Sequence, residues 1–160
     1  MDASPRVTEP FRREHAEIHE HLSHIDGLAG TLDGQSAGMQ HETMARIVRF
    51  FKTHILAHAA SEERFLYPVV DRFAGVGAGT STFTSSMRYE HRMVERWINE
   101  LERMSTSSVP DFRAFARRVD NLLGLINAHF EEEEEILLPI LEANMTPEQF
   151  QKEIMSRMKH

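Results

Sequence analysis

Two histidine–glutamate pairs with the same spacing carry the chemistry that this sequence suggests. His58 precedes Glu62 by four residues, and His129 precedes Glu133 by the same interval. Residues four apart lie on one face of an α-helix, so each pair presents an imidazole nitrogen beside a carboxylate oxygen. These two ligand types together suit iron, manganese or zinc. The two pairs therefore predict a metal site.

The surroundings of the pairs repeat along the chain. A Glu-His dipeptide comes earlier in each half, ending at His15 and at His91, with an arginine shortly before it at Arg13 and at Arg88. The two halves are offset by 71 residues for the pairs (129 − 58) and by 76 for the dipeptides (91 − 15). We interpret the chain as two related helical hairpins that pack about a pseudo-twofold axis.

Four long segments with helical periodicity must position these residues. They contain good helix formers, show no period-two alternation, and are separated by stretches of Gly, Ser, Thr and Pro. We expect helices over roughly 10–30, 39–73, 83–104 and 111–143. A short C-terminal helix should begin at Thr146, because TPEQ predicts an N-cap, a proline at the first helical position and a capping-box partner. The predicted fold class is all-α: an up-down-up-down antiparallel four-helix bundle with a short extra C-terminal helix.

Each expected helix carries a histidine in the middle of its apolar stripe. Positions spaced three, four and seven residues apart share a face. The inward residues predicted in this way are Phe11, His15, Ile18, Leu22 and Ile25; Met44, Ile47, Phe51, Ile55, His58, Glu62, Phe65 and Val69; Met87, His91, Val94, Ile98 and Leu101; and Phe115, Leu122, Ile126, His129, Glu133, Ile136 and Ile140. A single inward histidine is usually hydrogen-bonded core. Two carboxylates buried beside four histidines are costly without a cation, which favours the metal hypothesis.

Two prolines interrupt the second and fourth helices. Pro68 and Pro139 each lie ten residues after the histidine of a pair. Proline has no backbone N–H, so we expect the carbonyls of Arg64 and Glu135 to lose their helical partners and the helices to kink there.

One set of residues resembles the signature of the hemerythrin family, also called the HHE cation-binding domain: His15, His58-x-x-x-Glu62, His91 and His129-x-x-x-Glu133. The segments EERFLYP and EEEILLP, which start at the two glutamates, also resemble that family. The resemblance covers roughly residues 11–141. It implies one hemerythrin-like domain over residues 1–160, with the bundle core at 10–144 and the C-terminal helix at 147–158.

The resemblance also implies a cofactor of two non-haem irons. Glu62 and Glu133 would bridge the irons, together with an oxo or hydroxo group. His15 and His58 would bind one iron, and a second pair would bind the other. That second pair consists of His91 and His129.

The first and third helices depart from the oxygen-carrying hemerythrins, which have an HxxxH pair on the third helix. This chain has His91-x-x-x-Glu95 there and His15-x-x-x-His19 on the first helix. His19 and Glu95 occupy equivalent places, and we expect each to complete the coordination of its iron. The alternatives are a hydrogen bond to a ligand for His19 and a partly exposed edge position for Glu95. An anionic ligand at Glu95 would change the redox potential, which argues against reversible oxygen carriage.

Composition excludes several other classes of function. The sequence has no cysteine and a formal net charge of −7, which argue against thiolate chemistry and nucleic-acid binding. It has no run of eighteen apolar residues and no signal-peptide pattern at its N-terminus, so we expect a cytoplasmic protein without a membrane partner.

The resemblance leaves two classes of function open. The first is a binding module that senses or stores dioxygen or nitric oxide. The second is a redox enzyme that reduces nitric oxide or decomposes peroxide, or an iron donor for iron–sulfur cluster repair. Glu95 favours redox, nitric oxide or peroxide chemistry. We expect a small diatomic or peroxide ligand, an electron donor for any redox reaction, and a monomer or homodimer. A metal-free helical scaffold is disfavoured by the buried carboxylates.

Overall fold

The computed structural model describes residues 5–75 and 82–158, and within these ranges it contains four long helices, a short C-terminal helix and no strand. Helix α1 is Glu9–Gly30 and α3 is Ser85–Ser105. Helix α2 spans 37–74 and α4 spans 112–144. The all-helical prediction is confirmed, while the up-down order of the helices stays a prediction.

Helices α2 and α4 are built from α-helical pieces joined by π-helical turns. The pieces of α2 are Ala37–Phe50, Leu56–Ser61 and Tyr67–Ala74, with π-turns at Phe51–Ile55 and Glu62–Leu66. Those of α4 are Phe112–Glu132 and Leu138–Asn144, with a π-turn at Glu133–Leu137. Helix α5 is Pro147–Phe150 and continues into a π-turn at Gln151–Met155, and a 3-10 turn at Leu32–Gly34 follows α1.

Side-chain caps explain where several helices begin. Ser36 accepts a hydrogen bond from the backbone of Met39 at the start of α2, and Asp111 caps α4 in the same way. Thr146 and Gln149 form a capping box at the start of α5. The TPEQ sequence therefore predicted this helix start correctly.

The helices enclose two hydrophobic cores. Helices α1 and α3 each pack against both α2 and α4. The first core joins residues 22–32, 44–55, 94–101 and 115–130. The second core joins Phe11 and Met87 to residues 66–70 and 137–145, and α5 covers it with Phe150 and Ile154. The histidine–glutamate pairs lie in the layer between the two cores.

The π-turns change which residues face the second core. Unbroken α-helical periodicity predicts Phe65 and Ile136 as inward, but the structure buries Leu66 and Leu137 and leaves Ile136 48% exposed. A π-turn contains one more residue than an α-helical turn, so the inward face moves by one position after each ligand glutamate. The prediction for Ile136 was wrong for this reason.

Two further sequence expectations can be placed on the structure. The glycine-rich break between the second and third helices falls largely on residues 76–81, outside the described residues. Among the helices that are described, none combines the length and the apolar character needed to cross a membrane.

Candidate metal centre

Six of the predicted ligands converge in the layer between the two cores. They come from all four long helices: His15 from α1, His58 and Glu62 from α2, His91 from α3, and His129 and Glu133 from α4. All six are buried, and even the most accessible, His91, is only 7% exposed. Such a dry cluster of acids and imidazoles needs a compensating charge.

The ligand atoms form two groups that share one glutamate. The first group comprises His15, His58 and Glu62. The second comprises Glu62, His91, His129 and Glu133. Within each group the candidate ligand atoms all lie within 4.8 Å of one another, a span that suits a single ion.

The carboxylate of Glu62 faces both groups. Its Oε1 lies 2.6 Å from Nε2 of His58 and 3.5 Å from Nε2 of His15. Its Oε2 lies 3.1 Å from Nε2 of His91. One oxygen is therefore available to each group, as a bridging carboxylate requires.

The carboxylate of Glu133 has the same two-sided arrangement. Its Oε2 lies 3.3 Å from Nε2 of His15, and its Oε1 lies 3.2 Å from Nε2 of His129. Glu62 on α2 and Glu133 on α4 therefore each contact histidines of both groups.

Several ligand atoms of the cluster have no hydrogen-bond partner. Five of its buried atoms make no hydrogen bond: Nε2 of His15 and of His58, both oxygens of Glu62, and Oε2 of Glu133. An unsatisfied buried polar atom is costly, and native proteins rarely keep several together. These five atoms point at one another and are all metal-ligand atoms, so the residues present fit a bound cation.

Without metal, two histidines of the cluster, His15 and His129, have raised pKa values because carboxylates surround them. Burial lowers the pKa of His129, but the neighbouring carboxylates of Glu133, Glu62 and Glu90 outweigh it and raise that pKa to about 12. The pKa of His15 is likewise raised well above its usual value by Glu133 and Glu134, against the effect of burial.

The carboxylates respond in the opposite direction. Burial raises the pKa of Glu62, but the charge of His58 and the adjacent rings of His129 and His15 hold it well below its usual value. The pKa of Glu133 is lowered by His129 and His15, against burial and the charge of Glu62. Metal ions would have to displace the histidine protons, so metal binding releases protons.

Tyr67 is a member of the cluster that sequence reasoning missed. It is fully buried, and its hydroxyl donates a 2.5 Å hydrogen bond to Oε1 of Glu133. The hydroxyl oxygen of Tyr67 also lies 3.1 Å from Nε2 of His91 and 3.3 Å from Nε2 of His129. The π-turn brings it inward, because Tyr67 lies five residues after Glu62. The equivalent position in the other half is Leu138, so the two groups differ.

A second set of carboxylates holds the outer nitrogens of the histidines. Nδ1 of His15 lies 3.0 Å from Oε1 of Glu134, and Nδ1 of His91 lies 2.9 Å from Oε1 of Glu63. Nδ1 of His129 lies 2.6 Å from Glu90. The doubled glutamates after each HxxxE pair and the Glu-His dipeptide were the sequence signal for these contacts.

Comparison with known proteins agrees with this geometry. Residues 6–152 match the family described as the hemerythrin HHE cation binding domain. The chain belongs to this family. An uncharacterized hemerythrin-like protein of Schizosaccharomyces pombe is 19% identical over 144 residues, which cover 90% of this chain and 63% of that protein. The chain thus spans less than two thirds of this relative's length. No solved structure gives a significant match.

Two residues predicted as ligands of this hemerythrin-family site are not brought into the cluster. His19 and Glu95 are both solvent-exposed. Each lies four residues beyond an inward histidine, and four residues advance a helix by about 40° past a full turn. The inward stripe instead continues through Leu22 on α1 and Val94 on α3. His19 and Glu95 therefore lie outside the inward faces of α1 and α3.

Surface clefts reach one histidine of each group. The cleft between α1 and α2 is lined by Glu14, Glu17, His21, His54 and His58. The cleft beside α3 is lined by Ala59, Ala60, Glu63, His91 and Glu95. Both clefts offer a small molecule an approach to an otherwise buried layer.

Proposed function

We propose that the protein is a non-haem di-iron protein of the hemerythrin type that interacts with dioxygen, nitric oxide or peroxide. One observation carries the proposal. Glu62 and Glu133 each direct one oxygen toward the His15 side of the cluster and the other toward the His91 and His129 side. Two carboxylates placed in this way are suited to bridging two ions.

The distances support the ligand sets that the resemblance implies. We assign His15 and His58 to the first ion and His91 and His129 to the second, with both glutamates shared. Imidazole and carboxylate ligands suit iron, and the choice of iron over manganese or zinc rests on the resemblance to hemerythrins. Two adjacent irons would supply exchangeable electrons and coordination positions for a small ligand.

The surroundings of the two groups favour small, weakly polar ligands. Phe130 stacks on His15 with ring centroids 4.1 Å apart, and Phe11 lies 4.4 Å from the same ring. These rings make the first group's surroundings apolar, whereas Tyr67 places a hydroxyl beside the second group. Apolar rings beside the first group suit a diatomic gas, whereas the polar groups beside the second suit the more polar peroxide. Roles in sensing, redox chemistry or stress response all follow from such binding.

The exposure of Glu95 weakens the argument against oxygen carriage that depended on it. Oxygen storage and iron donation for cluster repair are therefore outcomes that the test must separate. A stable, reversible oxygen adduct would favour storage, and loss of iron to an apo iron–sulfur protein would favour donation.

The test is anaerobic loading with Fe(II), followed by metal analysis and by absorption spectra after exposure to air, nitric oxide or hydrogen peroxide. We expect about two irons per chain, as two bridged groups require, and a spectral change with at least one of the three. The variant His58→Ala should lose iron, whereas His21→Ala, which changes an exposed histidine, should not. A stoichiometry of one, or spectra unaffected by all three reagents, would contradict the proposal.

A further inference from the structure

A series of contacts between α1 and α4 runs outward from the ligand histidine His15. Nδ1 of His15 meets Oε1 of Glu134 at 3.0 Å. Arg12 lies 3.8 Å from the Glu134 carboxylate and donates a 3.0 Å hydrogen bond to the Glu134 backbone carbonyl. Arg12 also donates to the hydroxyl of Thr8 from Nε, at 3.1 Å. The series ends at Glu142, which accepts from both Thr8 and Arg12.

A second series, between α3 and α2, repeats the first at equivalent positions. Nδ1 of His91 meets Oε1 of Glu63 at 2.9 Å. Arg88 lies 3.9 Å from the Glu63 carboxylate and donates to the Glu63 backbone carbonyl at 3.4 Å. Nε of Arg88 donates to Thr84 at 3.3 Å, and the Thr84 hydroxyl donates to Asp71 at 2.9 Å. The arginine equivalent to Arg88 is thus Arg12, at the same offset of 76 residues as the two histidines, and not Arg13, with which we had paired Arg88 in the sequence.

The threonines are diverted from their usual role. Thr8 and Thr84 occupy the N-cap positions of α1 and α3, where a threonine side chain normally caps the helix. Neither side chain makes a capping hydrogen bond, and both are fully buried. Their hydroxyls instead accept from the arginines and donate to a carboxylate, which uses the capacity of a hydroxyl in both directions.

The π-turns explain why an arginine donates to a backbone carbonyl in each series. In the π-turn of α2 the N–H of Tyr67 bonds the carbonyl of Glu62, five residues back. The next donor in that register would be Pro68, which has no N–H, so the carbonyl of Glu63 lacks a helical partner. Arg88 supplies it. In α4, Pro139 likewise leaves the carbonyl of Glu134 without a helical donor, and Arg12 donates to that carbonyl. The sequence-based expectation had assigned the freed carbonyls to Arg64 and Glu135, because it assumed an α-helical register.

The two histidine–glutamate contacts of these series join one half of the repeat to the other. Glu134 of α4 holds His15 of α1, and Glu63 of α2 holds His91 of α3. A carboxylate on Nδ1 fixes the tautomer and the ring orientation, and leaves Nε2 facing the cluster as the ligand nitrogen.

We propose that Arg12 with Glu134, and Arg88 with Glu63, are two pairs of positioning residues, each of which sets the metal affinity of one ion by fixing its ligand histidine. This proposal rests on the proposed two-metal function. Each pair acts on a single histidine, so its loss affects one ion more than the other. The same carboxylates add negative charge next to the imidazoles and favour the more highly charged metal ion.

The test is anaerobic titration of the metal-free protein with Fe(II) for five proteins: the unmodified chain, Arg12→Gln, Arg88→Gln, Arg13→Gln and the double variant Arg12→Gln/Arg88→Gln. We expect one of the two dissociation constants to rise 10- to 100-fold in Arg12→Gln, and the other one to rise in Arg88→Gln. Arg13 is exposed and neighbours Arg12 in sequence, so Arg13→Gln should change neither constant. The double variant Arg12→Gln/Arg88→Gln should weaken both ions.

A second variant separates positioning from folding. Glu134→Gln keeps the backbone carbonyl and an acceptor oxygen but removes the charge, and it should raise the reduction potential of the loaded protein relative to Glu135→Gln, an exposed neighbour. Unchanged constants in Arg12→Gln, an equal loss at both ions, or an unchanged potential in Glu134→Gln would overturn the proposal. Failure of the unmodified chain to bind two irons would instead overturn the proposed function.

Discussion

The hydroxyl of Tyr67 and Oε1 of Glu133 are joined by a 2.5 Å hydrogen bond in the metal layer, the layer of histidines and glutamates between the two cores. Burial and the charges of Glu62 and Glu133 raise the pKa of Tyr67 far above its usual value, so the phenol stays protonated and donates. This contact orients the Glu133 carboxylate, whose other oxygen faces His15.

Replacing Tyr67 by phenylalanine should therefore destabilise the metal-free protein. The change removes a buried hydrogen bond to a charged group, which is worth about 1.5–3 kcal/mol. Urea unfolding of the metal-free protein measures the loss of free energy. Tyr89→Phe is the matched control, because Tyr89 is the other tyrosine of the sequence and is 53% exposed. Equal unfolding free energies for the two variants would refute the orienting role.

Removing either bridging carboxylate should release both ions and not only one. Glu62→Ala deletes the oxygens that face His58 and His91, so both groups lose a ligand. Metal analysis after iron loading and desalting should show a loss well beyond one iron per chain. Glu131→Ala serves as a control because Glu131 is exposed in the same acidic run as Glu133. Retention of one tightly bound iron by Glu62→Ala would show that Glu62 is not shared.

Metal should stabilise the protein more strongly as the pH rises. The pKa values of His15 and His129 are raised above 6.5 in the folded, metal-free state. Their contribution to stability is fully present below the unfolded value of about 6.5 and is lost as the pH rises toward the folded pKa. The lowered pKa values of Glu62 and Glu133 contribute stability above about pH 4.3, which disappears only in more acidic solution.

The metal-free protein should accordingly be most stable near pH 5 to 6 and weaken above it. Metal-bound histidines are already deprotonated, and metal affinity increases as protons leave. Thermal melts with iron and with a chelator, recorded between about pH 6 and pH 8.5, should show a widening gap between the two midpoints. A constant or narrowing gap would contradict the proton release.

The exposed positions of His19 and Glu95 give a further prediction. His19→Ala and Glu95→Ala should each retain the iron content of the unmodified protein, because neither side chain reaches the buried layer. His15→Ala and His91→Ala, one helical turn earlier, should each lose iron. Metal analysis of the four variants decides the matter. Loss of iron from Glu95→Ala would show that this helix edge turns inward when metal binds.

The sequence was sufficient to predict the part of the site that depends on a single helix. His58 with Glu62, and His129 with Glu133, share a face through the four-residue spacing alone, and the repeat made the inward direction credible. His15 and His91 followed from the apolar stripes of their helices. Capping signals also predicted the start of α5 at Thr146, because a capping box involves only residues that are close in sequence.

The residues that sequence reasoning missed depend on the π-turns or on contacts between helices. Tyr67 turns inward because the π-turn adds one residue, and no α-helical pattern predicts that. The contacts of Glu63 and Glu134 with histidines join residues 28 and 119 positions apart, so no local spacing reveals them. The exposure of Glu95 could not be predicted from the sequence, because a residue 40° from the centre of a stripe can lie on either side of the boundary.

The metal layer also separates two hydrophobic cores that could otherwise melt as one unit. Between the cores, the apolar packing is interrupted by imidazoles and carboxylates, and Phe11 of one core and Phe130 of the other both contact the ring of His15. Metal ions with ligands from all four helices would tie the two cores into a single cooperative unit. In the metal-free protein, amide exchange should then distinguish them: the shorter segments around Val70, Leu141 and Phe150 would open at lower free energy than the long central helices.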